Sequence, residues 1–195
     1  MNEHNNNLAD IFGINKNYFV DFFSLLSVKN INKSEFILQA GDVCNYIGIV
    51  IEGSLRTYYI NENGEDVSFL FHFNHKLENL VFTDYESVLL GNKSKLNIQA
   101  LENSTVFLLS KNDLESLYLK DIYWQNFGKR MTERIYLSAK KRVEDLLYYS
   151  PEKRYLNLLT DNPLIFQKIP QKFIASYLGI TPQSLSRIRK RITIY

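Results

Sequence analysis

Near the end of the chain, Gln183, Ser186, Arg187 and Lys190 follow one another at spacings of three, one and three. At about 100° per residue they share one face of a helix, and Leu185, Ile188 and Ile192 share the opposite one. Such a face has a defined chemistry. The amide of Gln and the guanidinium of Arg each form paired hydrogen bonds, to adenine and guanine edges respectively, while a neighbouring Ser adapts to either. Gln183, Ser186 and Arg187 are therefore the candidate base-reading residues. Thr181, Ser184, Arg189, Lys190, Arg191 and Lys172 flank them with hydroxyls and cations suited to phosphate oxygens. Residues 168–195 hold six Lys or Arg and no Asp or Glu.

Presenting such a stripe to a groove needs a second helix and a tight turn. Gly179 tolerates positive φ and ends a first helical pattern; Thr181 then caps the next helix, with Pro182 at its first position, where a missing N–H costs nothing. Ile174, Tyr177 and Leu178 supply the matching apolar stripe of the first helix, and small Ala175 permits close approach. The segment reads as a helix-turn-helix. An ordinary basic surface helix is the plainer alternative, and charge alone would favour it. The coincidence of Ala175, Gly179, Thr181-Pro182 and a Gln/Arg stripe outweighs it.

Charge along the whole chain agrees. Residues 129–195 carry a net charge of +9 and residues 1–128 a net of −7, so the formal +2 conceals two opposed halves. Double-stranded DNA should meet only the C-terminal half. With 195 residues and 45% hydrophobic content the chain can bury a real core. No run approaches the roughly 18 to 20 apolar residues of a membrane span, and the first residues lack the basic flank and apolar centre of a signal peptide. Cytoplasmic residence without membrane contact is expected. Cys44 is the single cysteine, too few for a disulfide or a structural metal site, and reads as a small buried hydrophobe.

A jelly-roll metal enzyme is the rival class. His72 and His75 stand three apart, which on a strand puts them on opposite faces, and His4 sits in a polar N-terminal segment. No catalytic residue, metal or cofactor is expected. A ligand-binding module without DNA contact would need the basic tail to be incidental.

The remaining elements follow from periodicity. Asn15 to Leu26 reads as a short helix capped by Asn15, with Phe19, Phe22, Phe23 and Leu26 inward. Short β-branched and aromatic runs at 36–38, 46–51, 55–60, 67–73, 96–101 and 106–109, punctuated by Gly41, Gly53, Gly64 and Gly91, mean a β-sandwich or roll, and Asn63-Gly64 predicts a hairpin turn. Ser110 or Asn112 caps a short turn. A long helix from about Tyr118 to Tyr149 follows, and another helix starts at Ser150-Pro151-Glu152. Trp124, Phe127, Met131, Ile135 and Ser138 form a stripe on the long helix. A stripe of this kind is commonly an intramolecular core face; the unusual length, linking an acidic half to a basic one, favours a two-helix dimer seam.

The order β-roll, long helix, helix-turn-helix resembles the Crp/Fnr superfamily of transcription factors. Residues 177–188 carry the strongest likeness; Gly41-Asp42 and 51–56 are similar to the family's β-roll turns, and 100–104 with 108–114 to its last strands and lead into the dimer helix. The resemblance implies an α+β fold: an N-terminal double-stranded β-roll, jelly-roll-like, with its N-terminal helix (1–117), a long dimerisation helix and hinge (118–149), and a C-terminal helix-turn-helix domain (150–195). It implies a non-enzymatic regulator binding DNA as a homodimer, with RNA polymerase as a further candidate partner. It also implies base reading by Gln183, Ser186 and Arg187. The family's cyclic-nucleotide binders hold ribose and phosphate with a Gly-Glu pair and a later Arg; here those positions read Thr83-Asp84 and Ser94-Lys95. A Lys lacks the planar fork of Arg, so cyclic AMP is not the expected effector. Arg56, Asp84 and Lys95 are the candidate lining of a pocket for an unidentified small-molecule effector, and exposed loop charges are the equal alternative for Asp84 and Lys95.

Overall fold

The apolar runs between residues 27 and 110 pair into two antiparallel sheets stacked face to face. In this computed structural model, which describes residues 3–193, the strands are β1 (Ser27–Ile31), β2 (Phe36–Leu38), β3 (Tyr46–Glu52), β4 (Ser54–Ile60), β5 (Asp66–Phe73), β6 (Val81–Phe82), β7 (Leu96–Ala100) and β8 (Ser104–Ser110). One sheet runs β1-β8-β3-β6 and the other β2-β7-β4-β5. Between them lie Val50, Leu55, Phe82, Ile98 and Val106, all essentially without solvent exposure. Cys44 belongs to this core as a free thiol. The β4–β5 hairpin turns through Asn63-Gly64, with Gly64 at φ +78° and its N–H donating to the Asn61 carbonyl at 3.0 Å. All six strands read from the sequence are present. The two unread strands are the edge strand β1, exposed at four of five positions, and β6, only two residues long; neither carries a burial period to detect.

Helices flank the roll. Before it stand α1 (Glu3–Phe12) and, after a 3-10 turn at Lys16–Tyr18, α2 (Phe19–Phe23). Asn15 does cap, its side chain accepting from the Asn17 N–H at 3.0 Å, but the single helix expected over 15–26 is two shorter pieces. The segment around His4, read as a polar tail, is part of α1. Within the roll, α3 (Leu77–Leu80) and α4 (Tyr85–Leu90) are short; after it come α5 (Lys111–Lys120) and α6 (Ile122–Tyr148). Ser110 caps α5, and Asp121 in extended geometry separates α5 from α6, so the long helix starts at Ile122 instead of Tyr118. The two helices meet at Gly128, where a Cβ would stand 2.2 Å from the Tyr118 hydroxyl.

The inward face of α6 is the stripe read from the sequence as a dimer seam. Trp124 and Phe127 are 1% and 7% exposed and pack with Phe12, Phe22 and Leu117 of the same chain. Met131 is half-buried beside them. These three are intramolecular core, because two N-terminal helices and the roll cover that face. Ser138 is also half-buried, and Ile135 is exposed. The apolar residues that α6 leaves open lie on the other side: Tyr136 is 64%, Val143 52% and Leu147 80% exposed. Beyond α6 the chain forms α7 (Pro151–Asp161), α8 (Ile165–Lys168), α9 (Gln171–Tyr177) and α10 (Pro182–Thr193).

Candidate nucleic-acid interface and effector cavity

The C-terminal helices assemble on their own small core of Tyr155, Ile165, Ile169, Ile174, Ala175, Leu178, Leu185 and Ile188, to which β5 adds Phe71 and Phe73. Ser150 caps α7 by accepting from the Lys153 N–H at 3.3 Å, with Pro151 at the first position. Gly179 sits at φ +66° after α9, and the Ile180 N–H returns to the Ala175 carbonyl at 3.0 Å, which closes the helix end. Thr181 then caps α10, its hydroxyl accepting from the Ser184 N–H at 3.2 Å and donating to the Ser184 hydroxyl at 3.0 Å. Both side chains expected at phosphates are thus engaged in starting the helix. The turn is held from below by Arg154, whose guanidinium donates to the carbonyls of Leu178 at 3.0 Å and Tyr149 at 2.8 Å.

The outward face of α10 carries Gln183, Ser186, Arg187 and Lys190, all exposed, while Leu185 and Ile188 are buried and Ile192 half-buried. Arg189 and Arg191 are exposed on the flanks, Arg191 within 3.4 Å of Glu152 of α7. Lys172 lies on α9 with its ammonium 4.7 Å from the Phe173 ring. The arrangement is a polar and cationic helix face raised on an apolar base, of a shape that enters a major groove.

Two arginines that join this unit to the roll carry no signal in the sequence as connectors. Arg142 of α6, 9% exposed, donates to the backbone carbonyls of Tyr177 (2.6 Å), Phe69 (3.1 Å) and Ser68 (3.3 Å) and stacks 3.5 Å above the Tyr177 ring. Burial pulls its pKa below the ordinary guanidinium value, against the electrostatic pull of Tyr177. Arg56 was a candidate for the effector pocket; the structure places it on the outer surface of its sheet, not in a cavity. It pairs with Asp66 at 2.6 Å, bonds Gln99, and lies between the rings of Tyr58 and Phe173, 3.8 and 3.9 Å away. Strand alternation explains the difference, since Arg56 opposes Phe71 on the face that α9 covers. Ser176 completes this contact, accepting from the Ser68 N–H and donating to the Asp66 carbonyl, both at 2.9 Å.

On the inner side, the roll, α5 and α6 line a cavity of about 310 Å³, to which α2 adds Phe22. Asp84 stands at it, its carboxylate capping α4 through the Ser87 N–H at 3.2 Å. Lys95 is exposed and does not line it. His72 does: it is fully buried, its Nε2 2.8 Å from the Thr57 hydroxyl, and burial pushes its pKa down to about 4 with only partial opposition from the Val81 backbone. The ring is neutral at physiological pH. The Tyr59 phenol is held above its ordinary value, first by burial and then by the charges of Asp84 and Glu86. Among the described residues no group of three His, Cys, Asp or Glu is placed to hold a metal ion. No helix among them is long and apolar enough to cross a membrane.

Residues 28–121 match the family model for the cyclic nucleotide-binding domain. With the long helix and the C-terminal helices that follow, the fold is that of the Crp/Fnr regulators. Among solved structures, it is similar to FixK2 from Bradyrhizobium japonicum, with a TM-score of 0.74 over 87% of this chain and 85% of that one at 19% identity. A protein from Eubacterium rectale assigned to the Crp/Fnr family of transcriptional regulators aligns at a TM-score of 0.65 over 93% and 85% of the two chains, 17% identical. The c-di-GMP responsive global regulator CLP from Xanthomonas campestris aligns at 0.65 over 92% of each, 12% identical. At these identities the likeness establishes the fold. No curated protein sequence matches the chain.

Proposed function

We propose that this chain is a sequence-specific transcriptional regulator that binds double-stranded DNA as a homodimer, reads bases with Gln183, Ser186 and Arg187, and is not an enzyme. The observation that carries the reading is the exposed Gln183, Ser186, Arg187 and Lys190 stripe of α10, raised on the buried Leu185 and Ile188 in a chain whose C-terminal half is strongly basic. Lys190, Arg189, Arg191 and Lys172 then serve phosphates. Residence in the cytoplasm, where DNA and RNA polymerase would be met, belongs to the same reading.

Two copies of α10 reach half-sites about one helical turn apart, roughly 34 Å, when their long helices pair about a two-fold axis. Tyr136, Val143 and Leu147, at spacings of seven and four on the open side of α6, form the stripe on which a second copy would sit. Selection of bound duplexes from a random pool tests the whole reading. Enrichment of an inverted repeat with half-sites one turn apart is the expected result; enrichment of nothing above background, or of a single unrepeated site, refutes it.

A further inference from the structure

The domain match implies a cyclic nucleotide, and the cavity between the roll and α6 does not fit one. A cyclic phosphate taken out of water needs a cation or a converging set of donors to replace its hydration. The charged side chains along this cavity are Glu78, Asp84 and Glu86, all carboxylates, and neither Lys nor Arg lines it; Glu78 is paired with Arg134 of α6 at 3.5 Å, outside the lining. The guanidinium that might have served, Arg56, is on the far face of the sheet, committed to Asp66 and Gln99. The remaining wall is mostly apolar, built chiefly from Ile47, Leu70, Phe82, Leu117, Trp124 and Met131, with Thr83, Thr132 and Ser138 as scattered hydroxyls. The indole ring of Trp124 forms part of this wall, packed against Phe22 and Phe127.

We infer that this cavity is the binding site for an uncharged, largely apolar ring compound, not for a cyclic nucleotide or any other anion. Its volume of about 310 Å³ lies at the lower end of the range for small-molecule sites, and such sites pair apolar walls with a few polar groups. The carboxylates of Asp84 and Glu86, in no ion pair among the described residues, repel an anion, and the neutral His72 offers it no compensating charge. The inference concerns ligand binding by the free protein and does not rest on DNA binding.

N-phenyl-1-naphthylamine, a neutral fluorescent diaryl amine, is the probe. Trp124 is the chain's one tryptophan and stands in the cavity wall, so its emission reports occupancy by energy transfer to the probe. The expected result is saturable binding of one probe per chain, with Trp124 emission falling as probe emission rises. 8-Anilinonaphthalene-1-sulfonate, with the same two aryl groups plus a sulfonate, should bind at least tenfold more weakly, and cyclic AMP should not displace the neutral probe. The substitution Leu70→Phe fills the wall, and Thr132→Phe, at an exposed position of α6 among the lining residues, narrows the cavity from that side; each should weaken the probe tenfold or more, while Val28→Thr on the edge strand leaves it unchanged. No saturable binding, binding without transfer from Trp124, equal affinity for the sulfonate, displacement by cyclic AMP, or indifference to Thr132→Phe would each overturn the inference. Because the protein is free of DNA, failure here leaves the DNA reading standing, and failure of selection leaves this one standing.

Discussion

Arg187 and His72 show how one side chain's surroundings set its task. Arg187 and Gln183 are exposed on the outward face of α10 and free to form paired hydrogen bonds to a base edge, so Arg187→Ala or Gln183→Ala should cost about 1–3 kcal/mol per half-site and relax preference at one base pair. Titrating each variant against the selected duplex and its single-base changes checks this; an equal loss on random duplex would assign the residue to the backbone. His72 is the opposite case. The fold holds its ring neutral with a pKa of about 4 against 6.5 for a free histidine, so the unfolded chain takes up an extra proton between those values. Stability from this group is complete above pH 6.5 and falls as pH drops toward 4. Between pH 7 and 4.5 the loss should be roughly 2–3 kcal/mol. Urea unfolding at both pH values, with His72→Gln as the comparison, measures it: the variant should lose less stability on acidification by about that amount.

The helix α6 has two apolar faces with different partners. Its inner face, Trp124 to Met131, is covered by α1, α2 and the roll, whereas Tyr136, Val143 and Leu147 are open. The consequences of a charge on each face differ in kind. Tyr136→Glu with Val143→Glu should shift sedimentation from dimer to monomer and abolish binding to the inverted repeat, while monomer stability changes by only about 0.5 kcal/mol per surface site. Met131→Glu places a carboxylate among Phe127 and its neighbours, and should destabilise the monomer itself by about 2 kcal/mol or more. A dimer that survives Tyr136→Glu with Val143→Glu would refute the proposed seam.

Two arginine contacts bind the C-terminal helices to the roll, on the surface of β4 and β5 that faces away from the cavity. Arg142 gathers three carbonyls from α9 and β5, and Arg56 is clasped between Tyr58 of the roll and Phe173 of α9. Because β5 also lends Leu70 and His72 to the cavity, one strand touches both units. Arg142→Ala strands buried carbonyls and should lower overall stability by about 2–4 kcal/mol, with Arg142→Lys failing to restore it because an ammonium lacks the fork that spans three acceptors. Thermal unfolding gives the magnitude. Limited proteolysis between residues 148 and 151 should accelerate in Arg142→Ala, since the helix-turn-helix unit loses its main tie to α6; an unchanged cleavage rate would mean that Arg56 and Ser176 suffice.

The sequence alone determined the features whose cause is local. Gly179, Thr181-Pro182 and Ser150-Pro151 set helix ends through backbone preferences that need no distant partner, and the short β-branched and aromatic runs between glycines marked β3, β4, β5 and β7 as strands. The exposed polar stripe of Gln183, Ser186, Arg187 and Lys190 was legible for the same reason, since angular position on a helix follows from spacing alone. What required tertiary structure was the choice among faces. Periodicity showed that Trp124, Phe127 and Met131 share a stripe on α6, but only the packing of α1 and α2, whose short helices carry little pattern, decided that the stripe faces its own chain. Likewise the type of Arg56 announced a charge, and only the register of β4 against β5 and the docking of α9 decided that it joins two units and leaves the cavity without a cation.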